Sequence, residues 1–168
     1  MPEMGEYIVG AYLRIKLDCE FVVYNQKLSR RRGEFGEVDV LGIDTNNHII
    51  YLCEVVTHIQ GLLYGKGYEE TKRRIKRKFI SNIKYANNIF PGLNKIYMLW
   101  SPVVNVGKLT NYLKNLHGDL DLSNDEFVVI INKEYTEKID QLRSLAKNDA
   151  KDRGEPFYRA LQIIQHIK

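Results

Sequence analysis

Two acidic residues interrupt apolar segments within residues 36–60, which we interpret as two short strands joined by a polar turn at Asp44 to His48. Asp39 falls inside the first segment and Glu54 falls near the end of the second. Strand positions of this kind normally carry valine or isoleucine. A carboxylate facing other structure has a desolvation cost unless it is paired, hydrogen-bonded or bound to a cation. Both acids are therefore candidates for a functional site.

Side-chain alternation along the two strands predicts that these acids converge. Asp39 shares a strand face with Leu41, and Glu54 shares one with Leu52. If the two faces coincide, the carboxylates repel each other unless a positive group lies between them. A hard divalent ion such as Mg²⁺, which takes oxygen ligands, is one candidate. The alternative is that Glu54 is paired with one of the 25 Lys and Arg residues or solvated at the strand end.

Basic residues are concentrated before and after the candidate acidic pair. Arg30, Arg31 and Arg32 lie in a polar loop that leads into the Asp39 strand, and residues 72–78 contain six basic residues in seven positions. Such density indicates either a solvated face or a polyanionic partner. Its placement on both sides of a candidate metal site favours the phosphate backbone of a nucleic acid.

Hydrophobic periodicity predicts the elements that position these residues. An amphipathic helix over 3–17 and a short strand over 21–24 precede the hairpin, and a long helix over 68–88 follows it. The apolar segment 95–100 is expected to be an interior strand, parallel to a partner because it follows a helical crossover. The remaining predictions are a helix at 106–116, a strand at 127–131, and helices at 133–146 and 157–167 that either cover the sheet or form a dimer interface.

These features resemble the PD-(D/E)XK nuclease superfamily, in particular its small Holliday-junction-resolvase-like members. The matching positions, which span about residues 5 to 100, are Gly5-Glu6, Gly36-Glu37-Val38-Asp39, Glu54-Val55-Val56-Thr57 and the basic segment that follows. The resemblance implies a single α/β domain over 1–168. It would contain a restriction-endonuclease-like αβββαβ core at about 5–131, a mixed central sheet flanked by helices, and a helical extension at about 133–168.

The resemblance also implies roles for individual residues. Asp39, Glu54 and the main-chain carbonyl of Val55 would hold Mg²⁺ or Mn²⁺, which would activate water and neutralise charge on the phosphate. Glu6 would be an outer ligand or an orienting group, although an acid in a first helical turn equally suits the helix dipole. Val56 stands where the family has a lysine, which orients the attacking water and stabilises the transition state.

Another cation must replace that lysine if the protein is to cut DNA efficiently. Lys72, near the start of the helix that follows, is the first candidate, and Lys66 in the preceding loop is the second. The expected DNA-contacting residues are Arg30, Arg31, Arg32, Lys66, Arg73, Arg74, Lys76 and Arg77.

Two further patterns near the acidic strand carry less weight. A lone histidine at a strand end, here His58, is more often incidental than catalytic. Gln60 and Tyr64 have the spacing of a motif from another nuclease branch, but that motif lies farther from its acidic strand, so we attribute the spacing to chance.

The expected function is hydrolysis of DNA phosphodiester bonds, with branched or structured DNA as candidate substrates. A catalytically inactive DNA-binding or assembly module and an α/β protein-interaction domain are the alternatives. A homodimer is expected by analogy with resolvase-like enzymes. No apolar stretch approaches the ~20 residues that span a bilayer, the first residues do not resemble a signal peptide, and Cys19 and Cys53 lack metal-site spacing. These features predict a cytoplasmic protein with no membrane partner.

Overall fold

A five-stranded mixed sheet forms the centre of the protein. The computed structural model describes residues 1–28, 36–65 and 67–167. The strands are β1 (Phe21–Lys27), β2 (Glu37–Asp44), β3 (Ile49–Val55), β4 (Asn94–Ser101) and β5 (Phe127–Ile131). They lie side by side in chain order, antiparallel from β1 to β3 and parallel from β3 to β5. The predictions of an α/β fold, a mixed sheet and a parallel interior strand are confirmed.

Helices flank this sheet. They are α1 (Met4–Lys16), α2 (Tyr68–Ile89), α3 (Lys108–Lys114), α4 (Leu116–Asp119), α5 (Lys133–Ala146) and α6 (Pro156–His166). The first six elements follow the predicted order αβββαβ. Two boundaries differ from prediction: β1 continues to Lys27, and the single helix expected over 106–116 is replaced by α3 and α4. Among the described residues, no helix is long and apolar enough to cross a membrane.

The β2–β3 hairpin is fixed by its turn. Asp44 accepts hydrogen bonds from the main-chain and side-chain nitrogens of Asn47 at 2.9 and 2.7 Å, and His48 adopts a left-handed conformation with φ 57°. The resulting register pairs Leu41 with Leu52. Continued toward the open end of the hairpin, this register sets Asp39 opposite Glu54.

Each face of the sheet has its own hydrophobic core. On one face, α2, α3 and α4 pack on the sheet, and Phe79 and Phe127 meet edge to face at 4.9 Å. On the other face α1, α5 and α6 pack around Trp100, whose ring contacts Tyr12 and Tyr135. The sheet is therefore covered on both sides, which buries most of β2, β3 and β4.

The last helix covers the α1 side of the sheet with a face that differs from the predicted one. Leu161 is buried as expected, but Ile164 and Ile167 are 63% and 70% exposed. Gln162 is turned inward because its amide donates to the main-chain oxygens of Asp149 and Lys151 at 2.6 and 2.9 Å. The rotation of α6 therefore buries Gln162, which is hydrogen-bonded to the preceding loop, and leaves Ile164 of the predicted apolar stripe exposed.

Candidate functional site

The two strand acids lie together at the carboxyl end of β3. Asp39 is 7% exposed and Glu54 is 1% exposed. They occupy the sheet face that α2 covers, since Leu41 and Leu52, two residues along each strand, belong to the core beneath that helix. The prediction that the two carboxylates converge is confirmed, because a single lysine contacts both of them.

That lysine is Lys78, in the middle of α2. Its ammonium nitrogen hydrogen-bonds to Oε2 of Glu54 and lies 3.6 Å from Oδ2 of Asp39. The Lys78 side chain is 41% exposed. The side chain therefore extends from the solvent-exposed flank of α2 to the buried acids, and its ammonium is bonded to the carboxylate of Glu54.

The burial of the cluster shifts its proton equilibria. Desolvation, followed by the charge of Asp39, raises the pKa of Glu54 to about 7, against the opposing influence of Lys78 and Asn82. Burial lowers the pKa of Lys78, but the charges of Glu54 and Asp39 outweigh that effect and hold it above its ordinary value. Lys78 therefore remains a cation at neutral pH, whereas Glu54 changes charge close to neutrality.

Two nitrogen donors fix the carboxylates from other directions. The side-chain nitrogen of Asn82, one turn after Lys78 on α2, donates to Oε1 of Glu54 at 2.8 Å. The main-chain nitrogen of Val55 donates to Oδ2 of Asp39 at 2.7 Å. Each acid thus has a defined orientation, and both oxygens of Glu54 have partners supplied by α2.

Lys72, the first candidate to replace the missing lysine, does not reach the acids. Its ammonium pairs with Glu69 at 3.1 Å and lies 4.8 and 4.7 Å from the ring centres of Tyr68 and Tyr112. Lys72 and Lys78 are six positions apart on the helix, which is about 9 Å along its axis. Lys72 therefore links α2 to α3. The second candidate, Lys66, lies outside the described residues.

Glu6 forms a capping box with Glu3 at the start of α1, a role that was not predicted from the sequence. Its Oε2 accepts hydrogen bonds from the main-chain nitrogen of Glu3 at 3.0 Å and from the side chain of Asn25 at 3.3 Å. Burial raises the pKa of Glu6, and the charge of Asp39 raises it further. Glu6 is thus close enough to Asp39 for their charges to interact, while its carboxylate is engaged by α1 and β1.

The glycine before Glu6 allows α1 to approach the end of β3. A Cβ atom at Gly5 would lie 2.0 Å from Cγ2 of Thr57 and 3.1 Å from Cγ1 of Val55. Both neighbours are β-branched and stiff, so the helix would have to move.

Gly5→Ala is therefore expected to lower the free energy of unfolding by about 1–3 kcal/mol, the usual cost of overpacking. Urea denaturation measures this change. Gly118→Ala is the matched control, because Gly118 is helical and a Cβ atom there meets nothing within 4 Å. Equal stability of the two variants would contradict the close approach of α1 to β3.

The basic residues of α2 divide into two groups. Arg74 pairs with Glu70 at 2.5 Å, and Lys76 pairs with Asp119 at 3.3 Å. Arg73 and Arg77 are exposed and form no ion pair within the described part of the chain. The exposed pairs are weak, so all four cations are available to an anionic partner. Arg30, Arg31 and Arg32 lie outside the described residues.

Tyr64 borders the acidic cluster. Its main-chain nitrogen donates to the buried hydroxyl of Thr71 at 2.8 Å, which fastens the loop after β3 to α2. Its ring contacts His58 edge to face at 5.8 Å and lies 5.6 Å from the guanidinium carbon of Arg74. Burial raises the pKa of Tyr64, so the phenol stays protonated at neutral pH.

Lys78 and Asn82 are the residues of this site that the sequence reasoning missed. Among the six basic residues of 72–78, Lys72 and Lys78 lie closest in helical angle to the buried face of α2 that includes Ile75 and Phe79. Asn82 also falls on that face, on the side that Lys78 borders. A polar residue at a core position indicates a buried polar partner nearby. This pattern favours Lys78 over Lys72.

The chain was compared with protein-family models, with curated proteins and with solved structures, and none of the three comparisons gives a match. The chemistry of the site must therefore be argued from its own geometry.

Proposed function

We propose that this protein is a metal-dependent nuclease that hydrolyses DNA phosphodiester bonds, with the αβββαβ elements forming a restriction-endonuclease-like core. The observation that carries the proposal is the contact of one lysine with two buried carboxylates from adjacent strands. Asp39 and Glu54 are the two acids that the superfamily resemblance implies as metal ligands. The superfamily has a strand lysine at the position of Val56. In this protein, Lys78 of α2 would take the place of that lysine.

The donor set suits a divalent cation. Asp39 and Glu54 provide hard oxygen atoms, and in their ionised forms they carry two negative charges against the single charge of Lys78. Among the described residues, no three His, Cys, Asp or Glu side chains are grouped to hold a metal. The protein ligands would therefore be these two carboxylates and the Val55 carbonyl. A bound Mg²⁺ or Mn²⁺ would lower the pKa of the water that it binds and would neutralise negative charge on the phosphate.

Lys78 has an electrostatic role in this proposal. Because the carboxylates hold its pKa above the ordinary value, it cannot serve as a general base near neutral pH. Its ammonium instead donates hydrogen bonds to the oxygens of the phosphate undergoing cleavage, where negative charge increases. The Lys78 side chain is 41% exposed, which is compatible with a phosphate approaching it from solvent.

The exposed side of α2 provides the proposed DNA contact. Arg73, Arg77 and Lys84 are exposed and lie at spacings of four and seven residues along the helix. They point away from the sheet, while Lys78 on the same helix points toward the acids. DNA that contacts these residues and extends around the flank of α2 that carries Lys78 would bring a phosphate to the acidic cluster. The basic residues 30–32 are proposed to contact the same DNA.

The second candidate function is a catalytically inactive DNA-binding or assembly module. Lys78 already compensates part of the charge of Asp39 and Glu54, so the cluster can also be a structural ion pair. An α/β protein-interaction domain is the third possibility. It is compatible with the exposed apolar residues Ile163 and Ile164 of α6 and Ile167 directly after it, which equally suit the proposed homodimer. The two buried free cysteines fit the proposed cytoplasmic location.

A cleavage assay separates these functions. Supercoiled, linear and branched DNA are incubated with the protein with and without Mg²⁺ or Mn²⁺. We expect cleavage by the wild type only with the metal, and its loss in Asp39→Asn and Glu54→Gln, which keep the side-chain shape but remove the charge. Asp125→Asn is the control and should retain activity, because Asp125 is exposed and precedes β5, at the edge of the parallel strands opposite to the acids.

The other outcomes identify the alternatives. Salt-sensitive DNA binding without cleavage by the wild type, unchanged by Asp39→Asn, would support the inactive module. Absence of DNA binding would support the protein-interaction domain. Cleavage that survives both acid substitutions would contradict the proposed site.

A further inference from the structure

Asn82 is a polar residue at a core position of α2. Its side chain is fully buried, and on the same helical face lie the buried residues Ile75, Phe79 and Ala86. The amide nitrogen donates to Oε1 of Glu54 at 2.8 Å. Lys78, four residues earlier, binds the other oxygen of the same carboxylate. Glu54 is thus held between two side chains from consecutive turns of one helix.

The amide oxygen of Asn82 has no hydrogen-bond partner in the described part of the chain. Oδ1 is buried and accepts no hydrogen bond from the described residues. An unpaired buried acceptor is rare in folded proteins and costs stability. An apolar residue would suit the surrounding core better, so packing does not account for an asparagine here. The contact with Glu54 does account for it.

We propose that Asn82 is a positioning residue that holds Glu54 in the orientation required to bind the divalent cation. Rotation about the terminal torsion of a glutamate is soft, so an unrestrained carboxylate samples many orientations. Asn82 engages Oε1 and leaves Oε2 as the oxygen that Lys78 contacts and that a cation would share. Residues that orient metal ligands through hydrogen bonds typically change metal affinity 10- to 100-fold when they are replaced. The inference rests on the proposed function.

Mn²⁺ binding to the metal-free protein, followed by electron paramagnetic resonance, tests this role without relying on cleavage. Asn82→Leu removes both the donor and the unpaired oxygen and keeps the number and branching of the side-chain heavy atoms. We expect its Mn²⁺ affinity to fall about 10- to 100-fold, with circular dichroism and DNA affinity close to those of the wild type. Asn87→Leu, at an exposed position of the same helix, is the control and should bind Mn²⁺ normally.

The outcomes distinguish the role of Asn82 from the proposed nuclease function on which it rests. Wild-type Mn²⁺ affinity in Asn82→Leu would overturn the role of Asn82 and leave the proposed nuclease intact. Absence of Mn²⁺ binding by the folded wild type would overturn both. If Asn82→Leu fails to fold, Asn82→Ala is measured in its place, and the same fall in affinity is expected.

Discussion

Replacing Lys78 with methionine is expected to slow Mg²⁺-dependent DNA cleavage by about 10²- to 10³-fold, the usual effect of removing one preorganised donor to a transition state. Methionine keeps most of the side-chain length and removes the charge that contacts both carboxylates. The single-turnover rate at saturating protein measures the effect on chemistry. DNA affinity measured with Ca²⁺ in place of Mg²⁺ shows whether binding has changed.

Lys72→Met is the matched control for this substitution. It lies on the same helix and carries the same charge, but its ammonium contacts Glu69 and the rings of Tyr68 and Tyr112. We expect a cleavage rate within a few-fold of the wild type and a loss of about 0.5–1 kcal/mol in stability from the lost cation–π contacts. Equal rate losses in the two variants would show that general positive charge, and not the position of Lys78, supports cleavage.

Cleavage is expected to rise with pH and to reach a plateau above about pH 8. Glu54 must be ionised to bind a cation, and burial together with the charge of Asp39 raises its pKa to about 7. Because the folded-state pKa is raised, the active ionised form is lost as the pH falls through 7. At pH 5 only about one molecule in a hundred would carry ionised Glu54, so kcat/KM should be roughly 100-fold below its plateau.

The effect of Mg²⁺ concentration on the pH dependence of cleavage distinguishes Glu54 from other titrating groups. A cation binds the ionised carboxylate, so higher Mg²⁺ concentrations should move the midpoint to lower pH. No fall in rate is expected between pH 8 and 9, since the raised pKa of Lys78 keeps it protonated there. A flat profile from pH 5 to 9, or a midpoint that does not move with Mg²⁺, would contradict the assignment of Glu54.

The convergence of the two acids could be predicted because it depends on local rules. Strand alternation has a period of two, and the Asp44 to His48 turn fixes the hairpin register, so the facing of Asp39 and Glu54 follows from sequence spacing. The order αβββαβ was predictable for a similar reason, since each element shows its own hydrophobic period. Both features need no knowledge of distant packing.

The identity of the lysine could not be fixed in this way. Six basic residues crowd residues 72–78, and the rotation and position of α2 over the sheet decide which one reaches the acids. Helical spacing reduces the choice to Lys72 and Lys78, and the polar Asn82 favours Lys78, but tertiary packing decides which of two residues about 9 Å apart along the axis contacts the acids. The inward Gln162 of α6 shows the same limit, because its main-chain partners in the preceding loop have no sequence signature.

The anomalous diffraction of Mn²⁺ in crystals of the wild-type protein tests the central claim most directly. We predict a single strong peak. It should lie within direct ligand distance of one carboxylate oxygen of Asp39 and of one carboxylate oxygen of Glu54, with the Lys78 ammonium beside it. A peak at any other place, or its absence in crystals of protein that cleaves DNA with Mn²⁺, would contradict the proposed metal site.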